Sequence, residues 1–298
     1  MLRIEAKIDN PIWGIFLILV AFLFFSFIAA SGKWLLLLGL PAFQLVFMRY
    51  CTHFIISSSI VFNQSNWKEQ LLCKGLLLTL LRALLLVAST AFAFSAFRFL
   101  PLTLTATIEF TAPLIICLLS WPLLGEKVGK FRLGAILIGF IGVLIIIKPF
   151  NENFHWATLL SLLGAVCFSL YAILSRYLAG KVAVDIMQFY SGLIGTVVTF
   201  PFILFIWVTP IGVINWIIMF GMGAFGWLGH QLLTHAHGYA PANLLTPFGY
   251  SFIIYNTIWS FFLTGYVPDL FSIIGGLLIV LSGLIIWFRE FKSSKQTY

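Results

Sequence analysis

Apolar residues gather in ten long runs, interrupted only by short polar or Pro/Gly-containing stretches. The runs cover roughly residues 12–30, 41–62, 76–98, 101–121, 131–148, 156–178, 185–208, 212–236, 241–264 and 270–288. Between them stand SGK, NQSNWKEQ, Pro101, GEKVGK, KPFNENFH, AGK, TPIG, Pro241 and VPD. A helix needs about 20 apolar residues to cross the bilayer core. The pattern therefore predicts an all-α integral membrane protein of ten transmembrane helices with no soluble domain. The links FRFLP and HGYAP are very short. They predict tight antiparallel hairpins between the third and fourth helices and between the eighth and ninth.

Composition agrees with the pattern. Of 298 residues, 61% are hydrophobic and 9% charged, against about 25% charged in a soluble domain. The net charge of +8 reads as membrane topology. With the N-terminus inside, thirteen Lys and Arg fall on the cytoplasmic side, where these residues are enriched. Three, Lys33, Arg98 and Lys148, fall outside, and Arg49 lies within a span. Both termini are expected in the cytoplasm, and the basic surface is expected to meet anionic lipid. No segment concentrates charge with spaced aromatics, so no nucleic-acid partner is expected. Cys51, Cys73, Cys117 and Cys167 have no metal or disulfide spacing and read as buried small thiols. The N-terminal MLRIEAKIDNPIWG leads into an apolar run without a cleavage-site pattern, so a retained first helix is expected.

Shifted by 140 residues, the chain aligns weakly with itself. AFRFLPLTLTATIEF lies over AHGYAPANLLTPFGY, with Pro101 on Pro241, Phe131 on Phe271 and Leu137 on Leu277. Each half ends in a Gly-rich helix. Five helices per half is an odd number, so the halves must insert with opposite orientation. Many secondary transporters use this inverted design, with a site near the bilayer midplane. The expected division is 1–150 and 151–298, two inverted five-helix repeats. ATIEFTAPLIICLLSWPLLGEKVGKFRLGAILIGFIGVLIIIKP resembles the end of a first EamA-type repeat of the drug/metabolite transporter superfamily. GHQLLTHAHGYAPANLLTPFGYSFIIYNTIWSFFLTGYVPDLFSIIGGLLIVLSGLIIW resembles the end of the second. The resemblance covers nearly the whole chain. It implies two inverted five-helix repeats, a central cavity, and uptake or export of a small metabolite. Family members move amino acids, nucleotide-like molecules, S-adenosylmethionine, riboflavin, sugars and drugs. The chain departs from the family pattern at Gly265-Tyr266, where the first half has Gly125-Glu126, and at Gly238, where a basic residue is common.

The rare polar residues within the runs are the candidate chemistry. Glu109 lies eight residues past Pro101, and Arg49 eight past Pro41. Both are about 12 Å deep at 1.5 Å per residue. A charge there costs at least about 2.5–3.5 kcal/mol, so each should face a partner or a polar interior. Three readings stay open for Glu109: a structural pair with Arg49, a substrate or proton site, or a neutral hydrogen-bonded core acid. Pro113 removes a backbone donor and could free a carbonyl toward the interior. Arg82, six residues into the third span, reads as a snorkelling side chain. Lys33 and Arg98 read as interfacial anchors, and Glu126, beside Lys127, as a gate or loop salt bridge. His230, His235 and His237 cannot be gathered around one metal by a single helix, so no metal site is expected. His230 reads as a packing histidine or a cavity residue. Phe252, Tyr255, Asn256 and Trp259 share one helical face, either packed or lining a cavity. Gly221, Gly223, Gly226 and Gly229 suit close helix approach.

These features predict a secondary active transporter, working by alternating access in the bacterial inner membrane. It would move a small metabolite such as an amino acid, S-adenosylmethionine or another amphipathic solute. The candidate site is Glu109, Arg49, Tyr255, Asn256, Trp259 and His230, with Pro113 and Glu126 as gating positions. No cofactor is expected, and GxxxxGK[ST] is absent, so there is no sign of an ATP motor. Proton coupling through Glu109 is a hypothesis, and monomer and homodimer are both open. The alternatives are an intramembrane enzyme, for which no HExxH, GxSxG or acid pair is found, and a structural membrane protein without a solute path.

Overall fold

The structure, a computed structural model, describes residues 10–65, 67–72, 75–124, 130–147, 154–178, 181–239 and 245–295. Every regular element among them is helical. α1 (Pro11–Leu37) opens on an Asn10 cap that accepts from the Trp13 N–H at 3.2 Å, with Pro11 in the first turn. Proline costs nothing there, because its missing N–H would have no helical partner. α2 spans Ala42–Phe62, α3 Trp67–Leu71, α4 Leu76–Phe97, α5 Leu102–Glu109, α6 Ala112–Leu124 and α7 Lys130–Ile147. In the second half come α8 (Ala157–Leu178), α9 (Val184–Ile206), α10 (Val213–Tyr239), a 3₁₀ turn (Thr246–Tyr250), α11 (Ser251–Thr264) and α12 (Leu270–Lys295). Six helices are long and apolar enough to cross a membrane: α1, α2, α4, α8, α9 and α10. Shorter apolar stretches cover Leu102–Ile116, Leu133–Ile147 and Leu270–Ile285.

Three elements differ from the sequence expectation. The first helix does not stop at SGK but continues to Leu37. Its Gly32 faces Phe94 so closely that a Cβ would lie 2.7 Å from the ring. The fourth run is not one helix: α5 ends at Glu109 and α6 begins at Ala112. Pro113 explains the break, since its ring would clash with the carbonyl four residues back, that of Glu109. The ninth run starts as a tight 3₁₀ turn containing Pro247. The short α3 is an addition within the loop NQSNWKEQ. The FRFLP link is as tight as expected, with four residues between the end of α4 and the start of α5. In the HGYAP link, His237, Gly238 and Tyr239 still belong to the eighth-run helix, and residues 240–244 lie outside the described residues.

The helices pack in matched pairs. α1 lies on α10 and α4 on α8; α2 lies on α9 and α7 on α12. α2 also meets α10, and α4 meets α9. The α7–α12 seam is close-packed. A Cβ on Gly142 would lie 2.7 Å from the Gly275 carbonyl oxygen, and Ser282 donates to the Ala135 carbonyl. Buried residues include Leu35, Leu45, Tyr50, Leu102, Met219 and Met222. The outside is strongly apolar, with Phe205 87% and Phe262 73% exposed. Such a surface would not stay dispersed in water and fits a lipid surround.

Candidate functional site

The site builds from α2. Arg49 and His53 are four residues apart and so share a face. Arg49 donates from Nη1 to Thr90 Oγ1 of α4 at 3.0 Å. Tyr50, fully buried, bonds the same Thr90 hydroxyl at 2.7 Å and donates to the Leu86 carbonyl at 3.1 Å. On the other side of Arg49 is α10. A Cβ on Gly226 would lie 3.6 Å from Arg49 Nε, so that edge of the guanidinium faces a glycine. One turn on, the His53 ring approaches His230 of α10 with centroids 6.5 Å apart, and His230 meets Phe25 of α1 at 5.0 Å. His53 also faces Gln188 of α9.

Glu109 is partly buried at the C-terminus of α5, at the break in the fourth run. It lies in the electrostatic field of Arg49, while the Arg49 hydrogen bond goes to Thr90. The next residue, Phe110, packs on Tyr250 of the 3₁₀ turn with centroids 5.0 Å apart, and on Phe252 at 6.2 Å. The two interruptions thus touch each other, and Phe22 of α1 closes over Phe252 at 6.1 Å.

The ninth-run stripe meets α1 and α5. Trp259 Nε1 donates to Ser26 Oγ at 3.3 Å and its ring lies 5.4 Å from Phe27. Asn256 is fully buried and donates to its own helix at the Phe252 carbonyl, 2.8 Å away. Tyr255 is partly buried. Ser260, one turn on, accepts the Thr103 N–H at 2.9 Å. That N–H is one of the orphan donors of the first turn of α5, so α11 caps α5.

Two expectations are corrected. Arg82 does not snorkel. It is 5% exposed and bonds Ser175 Oγ (2.7 Å), Tyr171 OH (2.9 Å), Ser191 Oγ (3.1 Å) and the Met187 carbonyl (3.2 Å). Its guanidinium also stacks 4.5 Å from the Tyr171 ring centroid. Hydroxyls supplied by α8 and α9 draw it inward, where no interface is needed. Lys33 is likewise buried, not an interfacial anchor. Its ammonium donates to the Phe97 and Leu100 carbonyls at 2.6 and 3.1 Å, closing the C-terminus of α4, where cations are favoured. Arg98 is exposed, as expected of an anchor. Glu126, Gly125 and Cys73 lie outside the described residues. Among the described residues no group of His, Cys, Asp and Glu could hold a metal.

Sequence reasoning missed His53, Thr90, Tyr171 and Gln188. The signal for His53 was present: RYCTH puts Arg49 and His53 on one face. The other three needed the packing of α4, α8 and α9 against α2.

Comparison with known proteins follows from this geometry. The EamA-like transporter family model matches residues 12–148 and again 155–288. An S-adenosylmethionine uptake transporter of Rickettsia felis is 26% identical over 259 residues, 87% of each chain. A riboflavin transporter of Vibrio cholerae is 30% identical over 62% of each chain. A pseudopaline exporter of Pseudomonas aeruginosa is 27% identical over 63% of this chain and 67% of its own. A solved crystal structure superposes with a TM-score of 0.63 at 18% identity, over 92% of this chain and 96% of its own, which shows a shared fold. These relatives are transporters, not enzymes. A multi-pass helical chain with a polar interior, matched by one family model over both halves, belongs to the EamA-like transporter family and is a small-metabolite transporter.

Proposed function

We propose that this transporter works by alternating access between two inverted five-helix repeats, 1–150 and 151–298, ten spanning helices in all. The observation that carries the reading is the pattern of matched packing. Under a shift of 140 residues, the α1–α10 contact maps onto α8–α4, and α2–α10 onto α9–α4. Within the α7–α12 seam, the Gly142–Gly275 contact maps onto Ser282–Ala135. A pseudo-twofold axis would produce these pairings. The helix breaks at Glu109–Ala112 and at Thr246–Tyr250 fall at corresponding places, which is where carriers of inverted design bind solutes.

The solute is a small amphipathic or zwitterionic metabolite, such as an amino acid or S-adenosylmethionine. It sits between Arg49 and Glu109, with His230 and the Tyr255, Asn256 and Trp259 face nearby. Pro113 sets the break in the fourth helix, and Glu126 belongs to the gate on the cytoplasmic side. Protons couple through Glu109. The chain resides in a bacterial inner membrane with both termini in the cytoplasm. Its relatives include both uptake and export proteins, so direction does not carry over. Counterflow in proteoliposomes tests the reading. Vesicles preloaded with each unlabelled candidate should accumulate labelled tracer of one compound. Protein shown folded and inserted that accumulates none of a panel of amino acids, S-adenosylmethionine, riboflavin and nucleotides would count against it.

A further inference from the structure

The interior around Arg49 holds more positive than negative charge. His53 and His230 both lie in the fields of Arg49 and Arg82. Among the described residues, the carboxylate in the field of Arg49 is Glu109. The Arg82 bonds all end on neutral oxygens: two serines, one tyrosine and one peptide carbonyl. Asp185, three residues before Gln188 on α9, is held by the Gln64 and Gln231 amides at 3.2 and 3.4 Å. Among the described residues, two arginines face one carboxylate, which leaves a positive charge unbalanced at membrane depth, where a lone charge is costly. An entering anion would balance it.

The geometry shows where it would enter. Arg49 spends Nη1 on Thr90. Its Nε and Nη2 edge faces Gly226, whose missing Cβ would lie 3.6 and 4.0 Å from those atoms. That edge is the one that grips a carboxylate with two parallel bonds. One turn along α2, His53 is 3% exposed and its Nε2 has no hydrogen-bond partner. With its ring proton on Nε2 it presents a free donor. A buried polar atom without a partner is uncommon, and this one sits on the same helix face as the open guanidinium edge.

We propose that the Nε/Nη2 edge of Arg49 and Nε2 of His53 form the binding site for a carboxylate of the transported solute, with Gly226 keeping the approach clear. This rests on the transporter reading and adds the solute's chemical class: it carries a carboxylate, and that end docks between α2 and α10. Glu109, in the electrostatic field of Arg49, is left for the solute's cationic or hydrogen-donating end.

Acetate and its neutral isostere acetamide are sufficient probes. The full chain, purified in mild detergent, is melted in rising concentrations of each at constant ionic strength. Acetate should raise the melting temperature saturably and acetamide should not. Gly226→Ala folds well on the packing given above, and it crowds the open edge. It should move the acetate response to about tenfold higher concentration, the equivalent of one weakened charged hydrogen bond. His53→Phe should do the same, and Arg49→Gln should abolish the response. Acetate and acetamide acting alike would overturn the assignment, and so would an acetate response unchanged in both Gly226→Ala and His53→Phe. Counterflow tests the carrier by itself. A flux-competent protein without an acetate response would sink only the carboxylate site.

Discussion

The glycines of α10 make a sign-changing prediction, because they look alike in sequence and differ in surroundings. At Gly223 a Cβ would overlap Thr52 Cβ and come within 2.6 Å of the Arg49 carbonyl oxygen and 3.1 Å of the His53 nitrogen. Two of these neighbours are α2 backbone, so no rotamer change relieves the clash and the helices must separate. At Gly221 and Gly226 the nearest atoms would be 3.6 Å away, ordinary contact. Alanine gains up to about 1 kcal/mol over glycine in a helix interior, less here because the denatured state in detergent keeps helix. Overpacking costs about 1–3 kcal/mol. Gly221→Ala and Gly226→Ala should therefore be neutral to slightly stabilising. Gly223→Ala should lose about 1–2 kcal/mol net of the propensity gain. Soluble domains of 150–250 residues shift by about 2–4 °C per kcal/mol, which sets the scale for a thermal melt of the purified protein. The partly buried free thiols of Cys51 and Cys167 can report unfolding by reaction with a fluorogenic maleimide. Equal melting temperatures for Gly223→Ala and Gly226→Ala would refute the claim that α2 and α10 touch backbone to backbone at Gly223.

Three more outcomes are expected. Lys33→Met removes two charge-assisted bonds to the end of α4 and should cost about 2 kcal/mol in the same melt; an unchanged melting temperature would mean the carbonyls of Phe97 and Leu100 find other donors. Ser260→Ala strands the buried Thr103 N–H and should cost about 1–3 kcal/mol, whereas Thr257→Ala, whose hydroxyl bonds only its own helix, should cost less than half as much. Glu109→Gln should abolish accumulation driven by a pH gradient while leaving counterflow exchange measurable; undiminished pH-driven transport in that variant would remove Glu109 from the coupling.

Much of the fold could be read from the chain because membrane burial writes a coarse signal. Runs of apolar residues located the long helices, though the first and the last each extend seven residues beyond the expected end. The signal failed where a polar residue is satisfied inside the protein. SGK looked like a helix end because Lys33 is charged, yet the carbonyls of Phe97 and Leu100 hold that charge in the interior. Arg82 looked like a snorkelling side chain because depth along one helix was the only coordinate available. Its partners come from α8 and α9, about 90 to 110 residues away in sequence. The break after Glu109 was half legible. Pro113 announces a disturbed helix, but not that Phe110 leaves it to meet Tyr250. Arg49 and Glu109 were singled out by cost alone, since a charge among apolar neighbours needs a reason. Uncharged His53 carried no such flag.

The buried cations bear on how the two halves share work. Positions 140 residues beyond Lys33, Arg49 and Arg82 hold Ile173, Phe189 and Met222. The Arg82 strap, which ties α4 to both α8 and α9, therefore has no charged counterpart 140 residues on. Two identical halves would weight the inward-open and outward-open forms equally. With the strap on one side only, its four hydrogen bonds favour whichever form keeps α4 against α8 and α9. On the proposed alternating-access cycle the carrier would rest preferentially in that form, and bound solute would supply the difference to turn it over.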